Sequence, residues 1–161
     1  MAAFTKVVVV YGGELAEDVA KQIESSCKGA KVELRKASER PKVLLDQENA
    51  LICFVMQTIE NAAATEEGGT TLRFFKRKTH PTDLCQSMHY TVLGLGDSSL
   101  LLDRQTTTAM DCNQVSQELD ARLEALGGTR FHELGLSDER TGLEEVEPWI
   151  QALCLRIANA V

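Results

Sequence analysis

The run Tyr90-Thr-Val-Leu93-Gly94-Leu-Gly96-Asp97-Ser98-Ser99 has residue types and spacing suited to binding a ligand. An apolar, strand-like stretch ends in two spaced glycines, an acid and two hydroxyls. Glycine lets the backbone turn sharply and come close to a ligand. In a parallel α/β sheet such a turn lies at the carboxyl end of a strand, where these folds bind ligands. The chemistry on offer is recognition by backbone N–H groups, hydroxyls and a carboxylate. No Ser/His/Asp or Cys/His constellation supplies a nucleophile.

The elements that must position this turn follow from periodicity. Lys6 to Tyr11, Ala50 to Met56 and His89 to Leu95 are apolar on both faces and read as central strands. Lys31 to Arg35 alternates Val32 and Leu34 with charges, as an edge strand does. Thr129 to Leu134 reads as a fifth strand. Helical spacing appears in Glu14 to Cys27, Thr70 to Lys78, Gln114 to Leu126 and Leu143 to Ala160, and Pro41 suits the start of a short helix before Gln47. Gln57 to Gly69 reads as a polar, acidic loop. Alternating strands and helices predict an α/β fold, a single domain over residues 1–161 with a parallel sheet covered by helices on both faces. Five strands suit the order 2-1-3-4-5.

Composition narrows the functions. The chain has 161 residues, 43% of them hydrophobic and 25% charged, as in ordinary globular domains. No apolar run approaches the roughly 20 residues that span a bilayer. A net charge of −7 argues against nucleic acid and permits a basic protein partner. The five cysteines are scattered, odd in number and form no C-x-x-C, so neither disulfides nor a zinc site is expected, and a reducing cytoplasm is the simplest location. His80, His89 and His132 lack ligand spacing and read as surface or capping residues.

Four segments together carry a family likeness. They are Gly94-Leu-Gly-Asp97-Ser98, the helix ending Leu119-Asp-Ala-Arg-Leu-Glu-Ala-Leu-Gly127, Glu133-Leu-Gly-Leu-Ser-Asp138-Glu139, and Gly142-Leu-Glu-Glu-Val-Glu-Pro-Trp149-Ile150. They resemble the flavodoxin-like FMN domain of diflavin reductases, of the cytochrome P450 reductase and methionine synthase reductase type. The resemblance implies an oxidoreductase domain that takes electrons from an NADPH/FAD module, holds them on FMN and passes them to a docked acceptor protein. In that family the flavin does the redox chemistry and the protein orients it. An acidic rim, here Glu60, Glu66, Glu67, Asp97, Asp103, Asp111, Asp138 and Glu139, would meet a basic acceptor.

The resemblance implies three cofactor loops, and each departs from the usual pattern. The first normally reads S/T-x-T-G-x-T and cradles the phosphate at a helix N-terminus. Here it is Tyr11-Gly12-Gly13-Glu14, about two residues short and with no hydroxyl side chain between Tyr11 and Ser25; Glu14, Glu17 and Asp18 follow. The second offers Gln57, Thr58 and Asn61 but no tight glycine turn. The third keeps Leu93, Gly94, Gly96, Asp97 and Ser98, then gives Leu100 to Leu102 in place of a ring-stacking aromatic. None of the eight aromatic residues lies in the second or third loop, and Trp149 reads as core. The expected FMN site therefore comprises Tyr11, Gly12, Gly13, Gln57, Thr58, Leu93, Gly94, Gly96, Asp97 and Ser98. Any FMN it holds is expected to be weakly bound. A flavin-free domain kept for protein docking is the alternative. A phospho-receiver domain is excluded, because no acidic pair follows the first strand and no aspartate ends the third.

Overall fold

The computed structural model describes residues 4–60, 62–101 and 108–160. Asn61, Leu102 and Asp103 lie outside them. The strands are β1 (Lys6–Gly12), β2 (Lys31–Lys36), β3 (Ala50–Ile59), β4 (Ala63–Ala64), β5 (His89–Gly96), β6 (Thr129–Arg130) and β7 (Gly135–Asp138). The helices are α1 (Glu14–Ser26), α2 (Glu66–Phe75), α3 (Gln114–Ala125) and α4 (Val146–Asn159), with single 3-10 turns at Pro41–Asp46, Ser98–Leu100 and Glu139–Thr141.

The main sheet runs β2-β1-β3-β5-β6, and β7 continues the β6 edge by pairing with β5. All of these pairings are parallel, while the two-residue β4 pairs antiparallel with the end of β3. With β6 and β7 counted as one interrupted strand, this is the expected 2-1-3-4-5 order. The fold class read from the sequence stands.

Side chains alternate across the sheet, as the period of two requires. Val8, Val10, Ile52, Phe54, Met56, Tyr90 and Val92 pack with Phe75, Val115 and Leu119, under α2 and α3. Val7, Val9, Leu51, Cys53, Val55, Leu93 and Leu95 pack with Val19, Ile23, Trp149, Ile150 and Leu153, under α1 and α4. Helices on both faces thus bury the central strands β1, β3 and β5 almost completely, while the edge strand β2 is only partly buried.

Three local differences have clear causes. First, α2 starts at Glu66 rather than Thr70, because Thr65 caps it by accepting from the Gly68 N–H at 3.1 Å. The paired glycines that suggest a loop are instead its first turn. Second, the last strand splits at 131–134. There Thr91 Oγ1 donates to the His132 carbonyl at 3.1 Å and Trp149 Nε1 donates to the Glu133 carbonyl at 2.9 Å, replacing part of the ladder. His132 is buried at 4% exposure, not on the surface. Third, Cys27 and Cys154 form a disulfide, against the expectation of none. The end of α1 and the middle of α4 lie on the same sheet face, which brings two cysteines 127 positions apart to a Cα separation of 5.1 Å. Among the described residues, no helix is long and apolar enough to cross a membrane.

Candidate functional site

The carboxyl ends of β1, β3 and β5 lie side by side. Gly12 is in register with Met56, and Met56 with Gly94. The three loops that follow therefore meet at one edge, and the ten residues expected for a site converge there, except that Leu93 turns its side chain into the core below α4.

The first loop must end in a helix whose leading N–H groups need acceptors. Gly13 is the N-cap of α1, with φ 128°, and it has no side chain to cap with. Three positions into the helix, Ala16 cannot reach back either. Two side chains from elsewhere do this work. Gln57 Oε1, at the end of β3, accepts from the Ala16 N–H at 3.0 Å, and Glu67 Oε2, in the first turn of α2, accepts from the Gly13 N–H at 3.3 Å. These are the two bonds of a capping box, normally made by the N-cap side chain and the acid three residues later. Here the box is assembled from two distant segments.

The glycines explain how those segments come so close. A Cβ on Gly12 would lie 2.7 Å from the Gly68 Cα, so β1 and α2 touch backbone to backbone. A Cβ on Gly13 would lie 2.0 Å from Gln57 Oε1. Beside them the Tyr11 hydroxyl donates to Glu17 Oε2 at 3.5 Å. Burial, then the carboxylates of Glu17 and Glu67, push the Tyr11 phenol above its usual range. The field at this end of α1 is therefore set by anionic side chains.

In the second loop Thr58 is buried, and its hydroxyl accepts from the Val115 N–H at 3.1 Å, which caps α3. In the third, Gly94 faces Ser116 and Asn113, and a Cβ on Gly96 would lie 2.4 Å from the Cys112 carbonyl oxygen. Gly94 thus admits the first turn of α3, and Gly96 the residues just before it. Asp97 accepts from the Ser99 N–H at 3.0 Å and from the Ser99 hydroxyl. The Ser98 N–H donates to Asp138 Oδ1 at 2.9 Å, and Arg140 Nε donates to the Ser98 hydroxyl at 2.7 Å.

Asp138 belongs to this cluster, although the sequence suggests a solvated rim residue. It is 3% exposed. Burial pushes its carboxyl up, but the Ser98 hydroxyl, hydrogen bonds from the Ser98 and Arg140 N–H groups and the Arg140 charge outweigh that and hold it below the usual range. Of the other rim acids, Glu60, Glu66 and Glu139 are exposed, and Glu67, Asp97 and Asp111 are half-buried. Ile59, Leu100 and Met110 expose apolar surface in the same loop ends, the last at 61%.

The expected flavin phosphate can be tested against this geometry. It would need the N–H groups at the amino end of α1, which accept anions readily. Two of those groups already bond Gln57 and Glu67, one of them a carboxylate, and the loop has no serine or threonine hydroxyl to add. As folded, these residues do not fit a phosphate in that place.

Comparison with known proteins agrees with the architecture. The Flavodoxin family model matches residues 12–149. The chain is 32% identical over 140 residues to methionine synthase reductase of Bos taurus, covering 86% of this chain and 19% of that protein. It is 28% identical over 145 residues to NADPH--cytochrome P450 reductase of Dictyostelium discoideum, covering 87% and 20%. It is 27% identical over 155 residues to NADPH-dependent diflavin oxidoreductase 1 of Bos taurus, covering 92% and 24%. The chain thus spans about a fifth of the length of these relatives. With the parallel order, the two-sided helical cover and the Gly94–Ser98 turn at the carboxyl edge, this chain belongs to the flavodoxin family, among the flavodoxin-like domains of diflavin reductases.

Proposed function

We propose that this chain is the electron-transfer domain of a diflavin-type reductase. It meets an NADPH/FAD module and a basic acceptor protein at the carboxyl edge of its sheet. The observation that carries this reading is the convergence of the β1, β3 and β5 loops at one edge, ringed by Glu60, Glu66, Glu139 and half-buried acids. Opposite charge on a partner raises encounter rate and fixes orientation. The exposed apolar side chains of Ile59, Leu100 and Met110 offer contact surface within that ring. In the family this work is done with FMN, which supplies one- and two-electron chemistry when bound. Here Tyr11, Gln57, Thr58, Asp97 and Ser98 stand at the expected edge.

A second reading keeps the docking and drops the flavin. The bonds from Gln57 and Glu67 to the amino end of α1 favour it, since they take the phosphate's partners.

One experiment separates the two. The domain is saturated with FMN, freed of excess and mixed with NADPH and the FAD-containing half of methionine synthase reductase, with cytochrome c as a basic acceptor. The first reading expects retained flavin absorbance and domain-dependent cytochrome c reduction that falls with salt. A colourless protein that still binds the FAD half supports the second. A protein that neither accelerates reduction nor binds the FAD half contradicts both.

A further inference from the structure

We infer that Gln57 and Glu67 are a built-in occupant of the anion-accepting end of α1, so a flavin phosphate can take that place only by displacing them. The inference rests on the family reading for where the phosphate would go, and deepens it.

The reason lies in the local sequence. A helix N-terminus must have its leading N–H groups satisfied. A hydroxyl-bearing loop does this with its own side chains, and a phosphate does it from outside. Gly13 and Ala16 can supply nothing. Gln57 reaches across from β3 to the Ala16 N–H, and Glu67 reaches from α2 to the Gly13 N–H. The carboxylate carries negative charge to the positive end of the helix dipole, as a phosphate would. Backbone contact between Gly12 and Gly68 holds α2 at the right distance for this. An incoming phosphate would lose two N–H partners and meet the charges of Glu67, Glu14 and Glu17. The contact is thus a competitor for the phosphate, carried by the chain itself.

The prediction concerns the phosphate rather than the ring, so riboflavin is the control. Flavin fluorescence quenching is titrated with FMN and with riboflavin on the wild type, Glu67→Gln and the double variant Glu67→Ala/Gln57→Ala. The wild type is expected to bind both flavins about equally. The double variant is expected to prefer FMN by about tenfold or more. In parallel, inorganic phosphate should raise the melting temperature of the double variant, relative to chloride at equal ionic strength, and leave the wild type unchanged.

A wild type that already prefers FMN overturns the inference. So does a double variant that shows neither FMN preference nor stabilisation by phosphate. If no protein binds any flavin but phosphate stabilises the double variant alone, the flavin role fails and the inference stands. If the double variant does not fold, the Gly13 amide decides. Its protection from hydrogen exchange should be lower in Glu67→Ala than in the wild type; a Gly13 amide equally protected in both proteins overturns the inference.

Discussion

The backbone N–H of Ser98 donates to the buried carboxylate of Asp138 at 2.9 Å, tying the turn after β5 to the end of β7. The same carboxylate oxygen accepts from the Arg140 N–H at 3.0 Å, and Arg140 in turn bonds the Ser98 hydroxyl. Replacing Asp138 with Ala leaves the Ser98 N–H buried without this acceptor. Such a loss costs about 1–3 kcal/mol. Asn, which keeps an oxygen acceptor, should recover much of it. The Asp138 carboxyl titrates lower in the folded protein than in the unfolded chain. Its contribution is therefore complete above the unfolded value of about 3.9 and disappears as pH falls through the folded value. Urea midpoints from pH 7 downward should show wild type and Asp138→Asn converging in acid. Parallel curves at every pH would contradict the assignment.

Gly94 and Gly96 are a second pair with a checkable hierarchy. The sequence marks both as places where the backbone could come close to a ligand, and in the structure the chain's own atoms stand beside them. It cannot say what approaches. A Cβ on Gly96 meets the Cys112 carbonyl, which is backbone and cannot step aside. On Gly94 the nearest atom is the Ser116 hydroxyl, a side chain with some freedom. Overpacking of this kind costs about 1–3 kcal/mol. Gly96→Ala should therefore be the more destabilising of the two by thermal unfolding, without any flavin present. Equal or reversed costs would mean that the Cys112 segment yields more easily than its backbone contact implies.

Much of the architecture is legible because the central strands are buried on both faces. Val7 to Val10 and Leu51 to Val55 can hardly be anything else. The start of α2 is hidden because Gly68 and Gly69 look like a loop, whereas the lack of a side chain on Gly68 is what lets α2 pack on Gly12. The interrupted edge strand depends on Trp149, which fills the space beside Gly135 from another element. The candidate site follows the same pattern. Gln57, Thr58 and Ser98 can be picked out as polar groups at strand ends. Their partners, Ala16, Val115, Asp138 and Arg140, come from other segments at separations that no local motif records. Asp138 is the informative case: an acid next to Glu139 reads as rim, and only its burial at the end of β7 makes it a clamp.

The Cys27–Cys154 link joins α1 to α4 across most of the chain. Long loops of this kind stabilise a fold by about 2–4 kcal/mol, chiefly by restricting the unfolded chain. Cys27→Ser should lower the denaturant midpoint to that extent, and a reductant should do the same to the wild type and nothing to the variant. The remaining thiols, Cys53, Cys85 and Cys112, are buried. Burial pushes them up to about 12, 11 and 11, so little thiolate forms at neutral pH. Native protein should resist alkylation. Denatured, unreduced protein should take label only at Cys53, Cys85 and Cys112. Labelling at Cys27 under those conditions would show that the bond is absent.

His132 gives the molecule a pH dependence of opposite origin to that of Asp138. Its ring packs against Trp149 with centroids 5.1 Å apart, and neither nitrogen has a hydrogen-bond partner among the described residues. Burial first, then the charge of Arg156, hold its pKa below the usual range, with Glu133 opposing weakly. Below the unfolded value of about 6.5 the unfolded chain therefore binds a proton that the folded protein refuses. Stability should fall as pH drops below that value and level off once the folded imidazole also protonates. His132→Phe keeps a ring beside Trp149 and removes the titration. Denaturant midpoints at pH 7.5 and 5.5 should differ more for the wild type than for the variant, and the variant should be the more stable protein at the lower pH. If the two proteins lose stability equally between those values, His132 is not the group responsible.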